Sequence, residues 1–157
     1  MNASEPQLRA SDLSTLKTEA RATRDFAVLL VEDDELQQGY FKRAFEASGL
    51  KGPLIVGGDG ADALELLRSG KVPPRRVVLL DVHMPRLDGI EFLREVRADP
   101  LLKSLVVVML TTSNDLHDQR EALSLNVAGY LLKSTVFANL VEQLRVIESY
   151  WSMMEIP

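Results

Sequence analysis

Apolar residues along this chain come in short unbroken runs, and each run is followed by a stretch with helical spacing. "FAVLLV" (26–31) precedes Leu36, Tyr40, Phe41, Ala44 and Phe45, which share one helical face up to Ser48-Gly49, where glycine suits a C-cap. "PLIVGG" (53–58) precedes "DGADALELLRSG", a helix opened by Asp59 and stopped at Gly70. "RVVLL" (76–80) precedes "GIEFLREVRA" (89–98), and "LVVVML" (105–110) precedes "DLHDQREALSL" (115–125). "AGYLL" (128–132) precedes a last helix predicted from about Thr135 to Trp151.

Strand and helix therefore alternate five times. The first, third and fourth strands are continuously apolar, as strands covered on both faces are. The pattern predicts an α/β fold: a doubly wound, five-stranded parallel sheet with right-handed crossovers. Sheets of this size commonly take the strand order 2-1-3-4-5, the flavodoxin-like arrangement. Residues 1–25 stand apart as a polar extension, disordered or a short helical arm. Leu13, Leu16 and Ala20 have helical spacing there, with Ser11 as a candidate cap. The domain proper is expected over 26–157, including a short C-terminal tail.

Charge and composition narrow the function more than the fold. A net charge of −5 and a pI near 5.1 argue against nucleic acid as the main partner, because phosphate binding wants a basic surface. With no cysteine, disulfides and thiolate metal sites are excluded. No apolar run approaches the ~20 residues of a membrane span, and the N-terminus lacks an apolar signal-peptide core. The chain is read as cytoplasmic, without a membrane or nucleic-acid partner.

The chemistry collects where the strands end. The first ends in Glu32-Asp33-Asp34, the third in Asp81, the fourth in Thr111-Thr112 and the fifth in Lys133. In an open parallel sheet the ligand site lies beyond these ends, where strand order reverses. With strands one and three adjacent, Asp33 and Asp81 share a crevice. Clustered carboxylates repel and call for a cation, and an all-oxygen acidic site suits Mg²⁺. A divalent cation, a lysine and a hydroxyl around a carboxylate make a site for a phosphoryl group. Asp81 is the candidate nucleophile, since a carboxylate can form an acyl phosphate.

At "LLVEDD", "LLDVHMPRLDG", "VVVMLTTS" and "GYLLK" the sequence resembles the receiver domain of two-component response regulators, over roughly residues 26–151. "TTSND", "YLLKS" and the tail "IESYWSMMEIP" resemble the single-domain regulators that work with bacterial and cyanobacterial phytochromes. The resemblance implies Asp81 as phosphoacceptor. It implies Glu32, Asp33, Asp81 and the backbone carbonyl of His83 as Mg²⁺ ligands, with Asp34 replacing one acid if the register shifts by one. It implies Thr111 and Lys133 as phosphoryl-binding groups, and Thr111 with Tyr130 as the switch. The implied function is a phosphorylation-controlled switch without an output domain, fed by a sensor histidine kinase, and not an enzyme. Many Asp-nucleophile phosphatases carry a second acid two residues on; here that position is His83. The competing reading is a phosphate-independent adaptor or a phosphate sink. One departure concerns the lysine: the family usually has a cis-proline after it, and here Ser134 stands there.

The last helix carries more apolar surface than one sheet needs. Val136, Phe137, Leu140, Val141, Leu144, Val146, Ile147, Tyr150 and Trp151 span an arc of roughly 220° at 100° per residue, against a stripe nearer ~100° for a helix packed only on its own sheet. A homodimer through the fourth helix, fifth strand and fifth helix is expected, with Val141, Tyr150 and Trp151 in the contact and Phe137, Leu140, Leu144 and Ile147 toward the core. The alternative is a tail folded back over its own protomer.

Overall fold

The computed structural model describes residues 9–15, 25–111 and 116–154. Its elements are β1 (Ala27–Val31), α1 (Glu35–Ser48), β2 (Leu54–Gly57), α2 (Gly60–Arg68), β3 (Arg76–Asp81), α3 (Gly89–Ala98), β4 (Val106–Thr111), α4 (Leu116–Ser124), β5 (Gly129–Leu132) and α5 (Phe137–Ser152). The five strands form one parallel sheet in the order β2-β1-β3-β4-β5, as expected from the sequence.

The apolar runs are buried because alternate residues of each strand serve opposite faces. Leu29, Val31, Val78, Leu80, Val107 and Met109 pack beneath α2, α3 and α4, where Leu64, Phe92 and Leu93 meet them. Val28, Leu30, Val77, Leu79, Val108 and Leu110 face α1 and α5, against Phe41, Phe45, Leu140 and Leu144. Burying each of these side chains stabilises the fold by roughly 1.5–3 kcal/mol, before entropy is set against it.

The helix boundaries follow local chemistry. Asp34 caps α1, its carboxylate accepting from the N–H groups of Leu36 and Gln37, and Gly49 ends the helix in a left-handed conformation at φ 78°. Asp59 caps α2. Asp88 and Glu91 close a full capping box on α3.

Two expectations are corrected here. The last helix begins at Phe137, not near Thr135. The Thr135 carbonyl accepts from the Tyr40 hydroxyl and the Ser134 hydroxyl accepts from the Val136 N–H, so both residues are committed to the loop. In the N-terminal extension residues 10–15 are helical, which places Ser11 inside the turn, its carbonyl accepting from the Thr15 hydroxyl, and not at a cap. Leu16, Ala20, most of the 1–25 extension and the last three residues of the tail lie outside the described residues.

The exposed face of α5 also differs from the expectation. Val141 is 7% exposed and belongs to the core layer between α1, α5 and the sheet, whereas Phe137 is 39% exposed. Phe137 starts the helix beyond the ends of the strands, so the sheet cannot cover it. Tyr40 on α1 meets it edge-on instead, with ring centroids 5.7 Å apart. Trp151 is half-buried against its own core and stacks edge-on with Tyr150 at 4.9 Å. Arg75 donates to the carbonyls of Trp151 and Met154 and ties this end of α5 down. The apolar residues of α5 left in solvent beyond its first turn include Val146 and Tyr150, with Met153 at its C-cap.

Candidate functional site

Parallel pairing sets the C-terminal ends of β1, β3, β4 and β5 side by side. Glu32 and Asp33 follow β1, and Asp81 is the last residue of β3. Oxygen atoms of these three carboxylates lie within 4.8 Å of one another. Glu32 is 2% and Asp81 8% exposed, while Asp33 stands at the open side. Two buried acids and one solvated acid around a common point match the oxygen ligands that a hard divalent cation takes.

Lys133 is the cation already in the cluster. Its ammonium lies 2.5 Å from Glu32 Oε2 and 3.5 Å from Asp81 Oδ2. Its backbone N–H continues the β4–β5 ladder by donating to the Thr111 carbonyl at 2.8 Å. No cis peptide occurs among the described residues, so the Lys133–Ser134 bond is trans. Burial pushes the Glu32 carboxyl above its ordinary value. The hydrogen bond and charge of Lys133 oppose that shift, the Asp81 charge reinforces it, and the Asp34 N–H also opposes it.

Thr111 ends β4 and is fully buried. Tyr130 on β5 pairs in register with Met109 and packs against the core layer beneath α2, α3 and α4, its hydroxyl shielded from solvent. Strand alternation puts Thr111 and Tyr130 on the same face of adjacent strands, two registers apart. Thr112 lies outside the described residues. Asp34 is committed to capping α1 and stands apart from the three-acid cluster.

The loop after Asp81 is held by two devices. Gly89 donates to the Val82 carbonyl at 2.9 Å, and a Cβ at Gly89 would sit 2.4 Å from the Asp81 carbonyl oxygen, so only glycine fits. Arg86 has φ 67°, a left-handed conformation unusual outside glycine, and its guanidinium pairs with the Asp59 carboxylate at the start of α2. The His83 side chain is 64% exposed, with Nε2 3.7 Å from Asp118 Oδ2 on α4. Sequence reasoning missed Arg86 and also Gln37, whose side-chain oxygen accepts from Lys133 at 2.6 Å. Both contacts join residues far apart in the sequence, so no local spacing signalled them.

No helix among the described residues is long and apolar enough to cross a membrane.

Known proteins share this arrangement. The response regulator receiver domain family matches residues 28–145. The chain is 38% identical over 130 residues to the probable methanogenesis regulatory protein FilR2 of Methanothrix harundinacea, covering 80% of this chain and 83% of that protein. It is 34% identical over 128 residues to the response regulator Rcp1 of Synechocystis, covering 79% of this chain and 87% of Rcp1. The Mn²⁺-bound crystal structure of Rcp1 superposes with a TM-score of 0.73, at 32% identity, over 84% of this chain and 99% of that one. The phosphorylated cyanobacterial phytochrome response regulator RcpA superposes with a TM-score of 0.74, at 30% identity, over 85% and 99%. With its sheet order, its acidic crevice and these matches together, the chain belongs to the response regulator receiver family.

Proposed function

We propose that this protein accepts a phosphoryl group on Asp81 from a sensor histidine kinase and signals through its α4–β5–α5 face as a single-domain switch over residues 26–157. The observation that carries the reading is the clustering of Glu32, Asp33 and Asp81 within 4.8 Å, with Lys133 3.5 Å from Asp81. An Asp81 carboxylate oxygen attacks phosphorus, and the bond from phosphorus to the kinase histidine nitrogen breaks. The imidazole leaves with the electron pair and takes a proton. Lys133 pairs with a phosphoryl oxygen and the Thr111 hydroxyl turns toward another, while Tyr130 packs into the space so freed.

Glu32, Asp33, Asp81 and the His83 carbonyl would hold Mg²⁺, which supplies positive charge against the phosphoryl oxygens. Mn²⁺ binding by Rcp1 and phosphorylation of RcpA support both parts by analogy. The phytochrome link of RcpA supports a phytochrome kinase as donor. We further propose a cytoplasmic homodimer. Its contact runs through Val146, Tyr150 and Met153, which share an arc of about 60° on α5 and are exposed. Val141 is withdrawn from that contact because its own core covers it.

Mass spectrometry after incubation with Mg²⁺ and acetyl phosphate tests the reading. One labile phosphoryl adduct on the wild type and none on Asp81→Asn is the expected result. Catalytic turnover of the donor without an adduct would favour an enzyme, and no adduct at all would favour a phosphate-independent adaptor. Phosphotransfer from a phytochrome kinase, with Asp81→Asn as control, tests the donor.

A further inference from the structure

Lys133 is held by more acceptors than the phosphoryl reading requires. Its Nζ lies 2.5 Å from Glu32 Oε2, 2.6 Å from Gln37 Oε1 and 3.5 Å from Asp81 Oδ2. An ammonium has three protons. The two short bonds bind the lysine to Glu32 and Gln37, and Asp81 receives the longest contact.

Gln37 reaches Lys133 because it does not do what its position favours. It is the third residue of α1, and its backbone N–H donates to the capping carboxylate of Asp34 at 3.0 Å. A glutamine there ordinarily turns back to accept the N–H of the cap residue, closing a capping box. In α3 that box is closed: Asp88 N–H donates to Glu91 Oε2 at 3.1 Å, and Glu91 N–H to Asp88 Oδ1 at 2.9 Å. In α1 the Asp34 N–H donates instead to Glu32 Oε1 at 3.2 Å, and the Gln37 amide oxygen is turned to Lys133. A cavity of about 360 Å³ adjoins this contact, lined among others by Leu30, Gln37, Tyr40, Lys133 and Ser134. The lysine therefore has space to move without displacing packed atoms.

We propose that Gln37 is a positioning residue that parks Lys133 over Glu32 in the unphosphorylated protein and so opposes capture of a phosphoryl group at Asp81. This inference rests on the phosphoacceptor reading given above. To pair with a phosphoryl oxygen, Lys133 has to give up an acceptor. The bond to Gln37 is the one released, because Glu32 holds the lysine with a buried carboxyl group whereas Gln37 offers an exposed, neutral amide.

Beryllofluoride, a phosphoryl analogue, provides the test by calorimetric titration at saturating Mg²⁺. Gln37→Met keeps the length of the side chain and removes the acceptor, and binding is expected to tighten about three- to tenfold. Gln37→Glu strengthens the acceptor, and binding is expected to weaken by a comparable factor. Loss of a merely structural contact would weaken binding in the Met variant too. A second readout needs neither metal nor phosphoryl group. In Mg²⁺-free protein, Lys133→Met should shift the side-chain amide resonances of Gln37. Wild-type binding with no change, or with a loss, in Gln37→Met overturns the inference alone, as does a Gln37 amide that ignores Lys133→Met. A wild type that takes up no beryllofluoride overturns the phosphoacceptor reading and this inference with it.

Discussion

Replacing Asp81 by asparagine should make the Mg²⁺-free protein more stable while removing the response to Mg²⁺. Asp81 faces two acids within 4.8 Å and one ammonium at 3.5 Å. At an effective dielectric constant of about 20, each repulsion at that limit is worth about 3.5 kcal/mol and the attraction about 5 kcal/mol. The repulsions together exceed the attraction by about 2 kcal/mol. Solvent at Asp33 screens one of them, so a gain of roughly 1 kcal/mol is expected for the variant. For a chain of this size that raises the midpoint of thermal unfolding by about 2–4 °C. Mg²⁺ at a hundred times its dissociation constant stabilises the wild type by about 2.7 kcal/mol. The variant has lost a ligand and a charge, so its gain is far smaller and the order of the two proteins reverses. Thermal melts with chelator and with Mg²⁺ check both halves. A variant less stable than wild type in chelator, together with an undiminished Mg²⁺ gain, would refute the electrostatic account of the site.

Three further outcomes are expected. Because burial raises the Glu32 carboxyl above 4.5, its contribution to stability is fully present below pH 4.5 and is lost as pH rises through the folded value. Glu32→Gln removes that loss, so in chelator its stability advantage over wild type should grow from pH 4.5 to 7 by denaturant titration. Asp88→Ala opens the capping box of α3 and should cost about 1 kcal/mol by the same titration, without altering Mg²⁺ affinity. Tyr150→Glu puts a charge on the exposed stripe of α5 and should give a monomer by sedimentation at micromolar concentration, with phosphate uptake unchanged.

The sheet was legible because the runs that form β1, β3 and β4 are continuously apolar, as strands covered on both faces are. The acidic crevice was legible because Glu32, Asp33, Asp81 and Lys133 sit directly at strand ends, where topology alone brings them together. The two faces of α5 were harder. Val141 and Phe137 are both apolar, and helical spacing counts both toward the buried arc. Their depth depends on where α5 starts relative to the strand ends, which Tyr40 and Thr135 decide through a contact 95 residues apart in sequence. Gln37 and Arg86 escaped notice for a related reason. Their roles come from long side chains crossing between elements, to Lys133 and to Asp59, and no local pattern encodes such a reach.

The same geometry shows what Lys133 crosses to reach the acids. Lys133 leaves β5 and reaches carboxylates on β3 and beyond β1, so its side chain passes over the end of β4, which lies between β5 and β3. Neighbouring strands are about 4.8 Å apart, so the path from β5 to β3 crosses close to 10 Å. A long, unbranched side chain such as lysine covers that span. Leu110 lines the cavity beside Lys133, and Thr111, the next residue, ends β4 fully buried, in register with Leu132 and one residue past the partner of Asp81. Lys133 nonetheless meets Asp81 directly, at 3.5 Å. Under the proposed phosphoacceptor reading, a group added to Asp81 would be accommodated by Thr111 and Lys133 together, and the β4–β5 register puts Tyr130 on the same face as Thr111. On that reading the route from Asp81 to β5 would run through Thr111 and Lys133, and the ring of Tyr130 would be the first bulky neighbour to register the change.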